Sequence, residues 1–90
     1  MMPIDKAQIE RIKTLAKEYG ATRLILFGSA VDMPKKAKDI DLACDGVLGW
    51  KLYELGARIE DELKMSLDII PLNPPTRFTR LIEKNGKELI

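Results

Sequence analysis

Leu24-Ile25-Leu26-Phe27-Gly28-Ser29 and, nine residues later, Asp39-Ile40-Asp41-Leu42-Ala43-Cys44 form the stretch that decides the fold. Residues 23–27 make an apolar run too short for a helix, and Gly28-Ser29 stops it, so it reads as a buried strand. Residues 39–44 alternate. Asp39, Asp41 and Ala43 point one way and Ile40, Leu42 and Cys44 the other, which is the period-two pattern of a strand with one apolar face. Only residues 28–38 join the two strands. A parallel pair needs a crossover of at least ~10–12 residues, usually helical, so this short link favours antiparallel neighbours.

Working outward, residues 5–19 read as an amphipathic helix with Ile9, Ile12, Leu15, Ala16 and Tyr19 at helical spacing. Asp5 and Gln8 have the spacing of a capping box, and Gly20 can close the far end. After an Asp45-Gly46 turn, residues 50–64 read as a second helix with Leu52, Leu55, Ile59 and Leu63 on one stripe. Residues 66–70 read as a third strand ended by Pro71, parallel to the second because the intervening helix supplies the crossover. Asn73-Pro74-Pro75 is a rigid connector. Residues 76–85 read as a closing helix with Phe78, Leu81 and Ile82 turned inward, and the last four residues as a tail or an edge strand. The expected fold is α/β (α+β): a small mixed sheet with helices packed mainly on one face, in a single domain spanning residues 1–90.

Composition excludes much chemistry. The chain has 90 residues, 46% hydrophobic and 32% charged, as expected of a folded domain rather than a disordered one. With no histidine it cannot build a Ser-His-Asp triad or a histidine-bearing zinc site, and its one cysteine excludes an internal disulfide and multi-cysteine clusters. A net charge of +1 gives no overall field for sequence-independent nucleic-acid binding. The longest apolar run, Leu24 to Phe27, falls far short of the ~20 residues that cross a bilayer, so no membrane partner and a cytoplasmic location are expected. Carboxylates, lysines, hydroxyls and hard, oxygen-ligated cations such as Mg²⁺ remain.

The carboxylates are arranged for such a cation. Asp39 and Asp41 project from one face of their strand about 7 Å apart along the chain, and like charges so placed repel unless a cation lies between them. Asp68, in Ser66-Leu67-Asp68-Ile69-Ile70, joins them if the third strand lies beside the second, so that three aspartates could line one pocket. An Asp-x-Asp pair arises readily by chance in so charged a chain. A carboxylate within an apolar strand is harder to ascribe to chance, since buried carboxylates are almost always paired or metal-bound. Gly28-Ser29 is by itself a turn; after a buried strand it also offers close backbone approach and a hydroxyl to a phosphate.

These pieces, from Leu24-Ile25-Leu26-Phe27-Gly28-Ser29 through Asp39-Ile40-Asp41-Leu42 to the apolar-flanked Asp68, resemble the minimal nucleotidyltransferase (MNT) family. Its members are small proteins of the polymerase-beta-like superfamily, and the resemblance spans nearly the whole chain. It implies that Asp39, Asp41 and Asp68 hold two Mg²⁺ ions, that Gly28 and Ser29 contact the nucleoside triphosphate, and that Asp68 is the general base. It further implies an antitoxin paired with a HEPN-type toxin, transferring AMP from ATP to a hydroxyl on that partner. One departure stands out. Many family members carry an arginine two or three residues after Gly-Ser, whereas Ala30-Val31-Asp32-Met33-Pro34 supplies none, leaving triphosphate binding weakened, lost, or shifted to Lys35, Lys36 and Lys38.

Other faces bear on partners. Trp50, Tyr53 and Ala57 cluster opposite the apolar stripe of the second helix, either as a protein interface or with Trp50 folded back onto the core. Arg77, Arg80 and Lys84 share one side of the last helix, most simply a solvated face. Cys44, in line with Ile40 and Leu42, reads as a buried structural thiol. The main alternative to catalysis is a non-catalytic antitoxin that neutralises its partner by occlusion. An RNA-binding module is disfavoured by few aromatics and near-zero charge, a homo-oligomer remains open, and aminoglycoside-type transfer would need an acceptor site that a partner or second copy completes.

Overall fold

The short 28–38 link sets the central pairing. In the computed structural model, which describes residues 4–33 and 39–90, β1 (Arg23–Phe27) and β2 (Asp39–Asp45) are antiparallel neighbours, with Leu26 opposite Leu42 and Phe27 opposite Asp41. Helix α3 (Trp50–Leu63) then provides the crossover that makes β3 (Ser66–Pro71) parallel to β2. The last residues form a short edge strand, β4 (Lys87–Glu88), antiparallel to β1, and the sheet order is β3-β2-β1-β4. The remaining elements are α1 (Lys6–Glu18), the single turn α2 (Ser29–Asp32) and α4 (Arg77–Asn85).

Side-chain alternation divides the core into two faces. Leu24 and Leu26 of β1 and Ile40, Leu42 and Cys44 of β2 point to one side, against Ile12, Leu15 and Ala16 of α1 and Leu52, Leu55 and Ile59 of α3, all buried. On the other side Ile25, Ala43, Leu72 and Ile82 make a smaller core under α4, which lies over β1. The two long helices therefore share one face and α4 covers only part of the other. Asp41 and Asp68 lie on that second face, across which no helix among the described residues spans β2 and β3.

The ends of the elements follow local chemistry. Asp5 caps α1 by accepting from the Gln8 N–H at 2.8 Å while the Gln8 side chain accepts from the Asp5 N–H at 2.9 Å, the expected capping box. Thr76 and Thr79 repeat the device on α4. The guanidinium of Arg11 binds Glu62 through two bonds, tying α1 to α3, and Arg23 spans Glu83 of α4 and Glu88 of β4. The outer edge of β3 is guarded: the Leu67 N–H donates to the Glu60 carboxylate at 2.9 Å, and Pro71 has no N–H to offer.

One expectation changes and one open alternative is decided. Phe78 and Leu81 are not turned inward; they are 55% and 52% exposed, because α4 lies chiefly over β1 and the residues it buries are Thr79 and Ile82. Trp50 begins α3 and, with Tyr53, stands in solvent, so the folded-back alternative does not occur. Cys44 is buried, and burial pushes its thiol up to about 11, as fits a packing residue rather than a nucleophile. No helix among the described residues is long and apolar enough to cross a membrane.

Gly56 lets α3 lie flush on β3: a Cβ there would fall 2.8 Å from Ile69 Cγ2. Gly56→Ala is expected to destabilise the fold by about 1–3 kcal/mol through overpacking, read from the midpoint of a urea unfolding curve.

Candidate functional site

The site is built where β1 ends against the start of β2. Gly28 leaves β1 with φ +76° and ψ −151°, a conformation that a residue with a Cβ strongly resists. A second constraint acts at the same atom: a Cβ on Gly28 would lie 2.6 Å from Asp41 Oδ2. The Asp41 carboxylate therefore rests directly against the backbone at Gly28. Ser29 follows as the first residue of α2, and the Gly28 carbonyl accepts from the N–H groups of Val31 and Asp32, both at 3.0 Å, which fixes the turn.

Across the parallel ladder Asp41 faces Asp68, and Asp39 faces Ser66 two residues earlier. Asp41 is half-buried and Asp39 and Asp68 are exposed. The Asp41 carboxyl is held above the usual carboxylate range, first by partial burial, then by the charge of Asp68, then by that of Asp39. The structure thus brings the three predicted aspartates onto one face of two adjacent strands, close enough to repel. They do not close into a finished cage, for among the described residues no three acidic or cysteine side chains converge on one point. The donor set is hard oxygen whose negative charge no side chain among the described residues compensates, which fits Mg²⁺ bound jointly with a ligand that supplies further oxygens. Lys35, Lys36 and Lys38, offered as substitute phosphate contacts, lie outside the described residues.

Two hollows adjoin these residues, and neither was singled out from the sequence. One, of about 140 Å³, lies between α4 and the end of β1, bounded by Phe27, Gly28, Phe78 and Leu81. The other, of about 270 Å³, runs along the α3–β3 margin from Tyr53 and Glu60 to Asp68. Periodicity alone could not reveal them, since each depends on how a helix packs against a strand. The exposed side of α3 at Tyr53 was the one signal available.

No family model and no curated protein matches the sequence. Solved structures do match the fold. The MntA–HepT toxin–antitoxin superposes with a TM-score of 0.74 at 18% identity, covering 96% of this chain and 72% of that one. A toxin–antitoxin structure with AMP-PNP gives 0.77 at 20% identity over 91% and 72%. A tri-AMPylated Shewanella oneidensis HEPN toxin in complex with MNT antitoxin gives 0.76 at 18% over 97% and 72%. This chain has the minimal nucleotidyltransferase fold. The mixed sheet and the antiparallel β1–β2 and parallel β2–β3 pairings are those expected from the lengths of the connecting links.

Two outcomes follow for the minimal nucleotidyltransferase fold as built here. Because the Asp41 carboxyl has a higher value in the folded chain than the unfolded 3.8, its ionisation opposes folding, and stability falls as pH rises through the folded value. Asp41→Asn should therefore raise the melting temperature in EDTA at neutral pH by on the order of a few degrees, with the gain vanishing below about pH 3, as scanning calorimetry would read. Gly28→Ala should do the opposite, lowering the melting temperature through backbone strain of about 1–3 kcal/mol while displacing the Asp41 carboxylate.

Proposed function

We propose that this protein is a Mg²⁺-dependent nucleotidyltransferase that moves AMP from ATP to a hydroxyl on a partner protein, and that it acts as the antitoxin of a HEPN-type toxin. The observation that carries the reading is the position of Asp41, pressed between the Gly28 turn and Asp68 of the next strand. That juxtaposition sets a turn able to receive phosphates beside carboxylates able to receive cations. A toxin–antitoxin structure of this fold with AMP-PNP, and a HEPN toxin that is tri-AMPylated in complex with its MNT antitoxin, support the same chemistry.

Little covalent work falls to the protein in such a transfer, and the absence of histidine is no obstacle. Asp39, Asp41 and Asp68 would hold the metal, which when bound neutralises triphosphate charge and stabilises the attacking and leaving oxygens. Gly28, lacking a side chain, admits the phosphates to the backbone, and the Ser29 hydroxyl stands at the same turn. Asp68 is exposed and lines the α3–β3 groove, so its carboxylate can take the proton of an incoming hydroxyl. The hydroxyl oxygen bonds to the α-phosphorus as the bond to pyrophosphate breaks, and the proton passes to Asp68. α2 offers Asp32 where many MNT members have arginine, so charge compensation for the triphosphate must come from elsewhere in the chain or from the partner.

The test is transfer of α-labelled ATP to a purified HEPN-type partner. Asp41→Asn should reduce labelling by roughly 10²–10³-fold with the fold intact, and undiminished labelling refutes catalysis by this site. One observation favours a second reading, binding by occlusion: Trp50 and Tyr53 stand exposed at 68% and 74% on α3. In that case joint Trp50→Ala and Tyr53→Ala substitution should restore toxicity in cells, whereas Asp39→Asn and Asp41→Asn should leave neutralisation unchanged.

A further inference from the structure

The most exposed large apolar side chains among the described residues stand together at the start of α3: Leu48 at 79%, Tyr53 at 74% and Trp50 at 68%. α3 buries Leu52, Leu55, Gly56 and Ile59, so Trp50 and Tyr53 lie on its outward side, where packing within one chain makes no use of them. At about 100° per residue, Ala57 falls about 20° from Trp50 on that side. Its small side chain lets another helix come close to the middle of α3.

The charges beside this apolar line identify what it fits. On one flank Lys51, Glu54, Arg58 and Asp61 lie within about 80° of one another, with signs that alternate along the helix and spacings that read the same from either end. Such a row is its own complement when reversed. In an antiparallel helix pair related by a two-fold axis, each flank meets the same flank of the other helix. Lys51 then faces the second copy's Asp61 and Glu54 faces its Arg58, both pairs centred on position 56, and the axis repeats each. Within one chain Lys51, Glu54 and Arg58 make no salt bridge among the described residues. Asp61 meets only Lys64, at 3.3 Å, in a solvated pair that leaves its carboxylate open to a second cation. The same register sets Trp50 beside the last turn of the second helix, where Lys64 offers a cation to the indole face.

We propose that this protein pairs with a second copy of itself through the outward face of α3, the two helices running antiparallel and crossing near Ala57. An unlike partner would require α3 to complement that partner and gives no reason for α3 to complement itself. The pairing does not depend on nucleotide transfer. The sheet separates α3 from Asp39, Asp41 and Asp68, so one dimer presents two carboxylate sites, both directed away from the shared axis. With 14 residues α3 is about 21 Å long, which places the contact at the small end of specific interfaces, with micromolar rather than nanomolar association.

Sedimentation equilibrium of the full chain without nucleotide, from low-micromolar to near-millimolar concentration, should show a reversible passage from the 10.2 kDa monomer to twice that mass. Emission from Trp50, the one tryptophan, should move to the blue over the same range. Glu54→Arg and Arg58→Glu each set like charges opposite one another and should weaken the dimer by roughly tenfold or more. The double variant Glu54→Arg, Arg58→Glu restores opposite charges in both pairs and should regain most of the wild-type affinity. Both positions are exposed, and far-UV circular dichroism checks that each variant keeps the fold. A chain that stays monomeric throughout the range overturns the proposal. A dimer indifferent to the single reversals does so too, as does a double variant no tighter than either single one. If the wild type is monomeric and joint Trp50→Ala and Tyr53→Ala substitution abolishes binding of a HEPN-type partner, the face belongs to that partner and the self-pairing is refuted.

Discussion

The contact between the Gly28 backbone and the Asp41 carboxylate is the constraint around which the rest of the structure is arranged. It exists because β1 and β2 are antiparallel and in a register that sets Phe27 opposite Asp41, so that the residue after Phe27 turns out of the sheet over that carboxylate. Any side chain at position 28 would occupy the space of Oδ2, and the positive φ there excludes most residues independently. The helices on the opposite face serve that register. The buried stripe of α3 and the close approach at Gly56 hold β3 parallel to β2, which brings Asp68 beside Asp41.

A fold organised in this way carries a cost at its centre. Asp41 is partly buried next to two other carboxylates, and the repulsion is left uncompensated by any side chain among the described residues. Stability is supplied elsewhere, by the two-sided apolar core and by Arg11 and Arg23 tying the periphery together. A locally destabilised charged cluster beside a rigid glycine turn is the feature on which the proposed function rests. Chemistry that relies on cations and positioning rather than on proton shuttling by imidazole is also what a chain without histidine can perform.

The two faces of the sheet divide the labour. One is closed by α1 and α3 and is a packing surface, where even Cys44 is inert. The other is only partly covered, because α4 is short and sits over β1. That partial cover leaves the carboxylates of β2 and β3 accessible while placing aromatic surface next to Gly28. A groove along the α3–β3 margin reaches from Asp68 to Tyr53, so the acid and the exposed aromatic side of α3 are neighbours rather than separate features.

Much of this was legible in the residues themselves. The strands, the helices, the capping box at Asp5 and Gln8 and the antiparallel first pair follow from period, punctuation and link length, which are local properties of the chain. The sharing of one face by Asp39 and Asp41 is likewise local, since alternation alone dictates it. The inward turn expected of Phe78 and Leu81 failed because a helical stripe indicates which residues can be buried, whereas the width of the surface beneath α4 decides how many are. The contact of Asp41 with Gly28, its ladder position beside Asp68, and the two hollows depend on register and on how far one helix extends across a sheet. Those are set by packing between segments distant in sequence, and so by the tertiary structure alone.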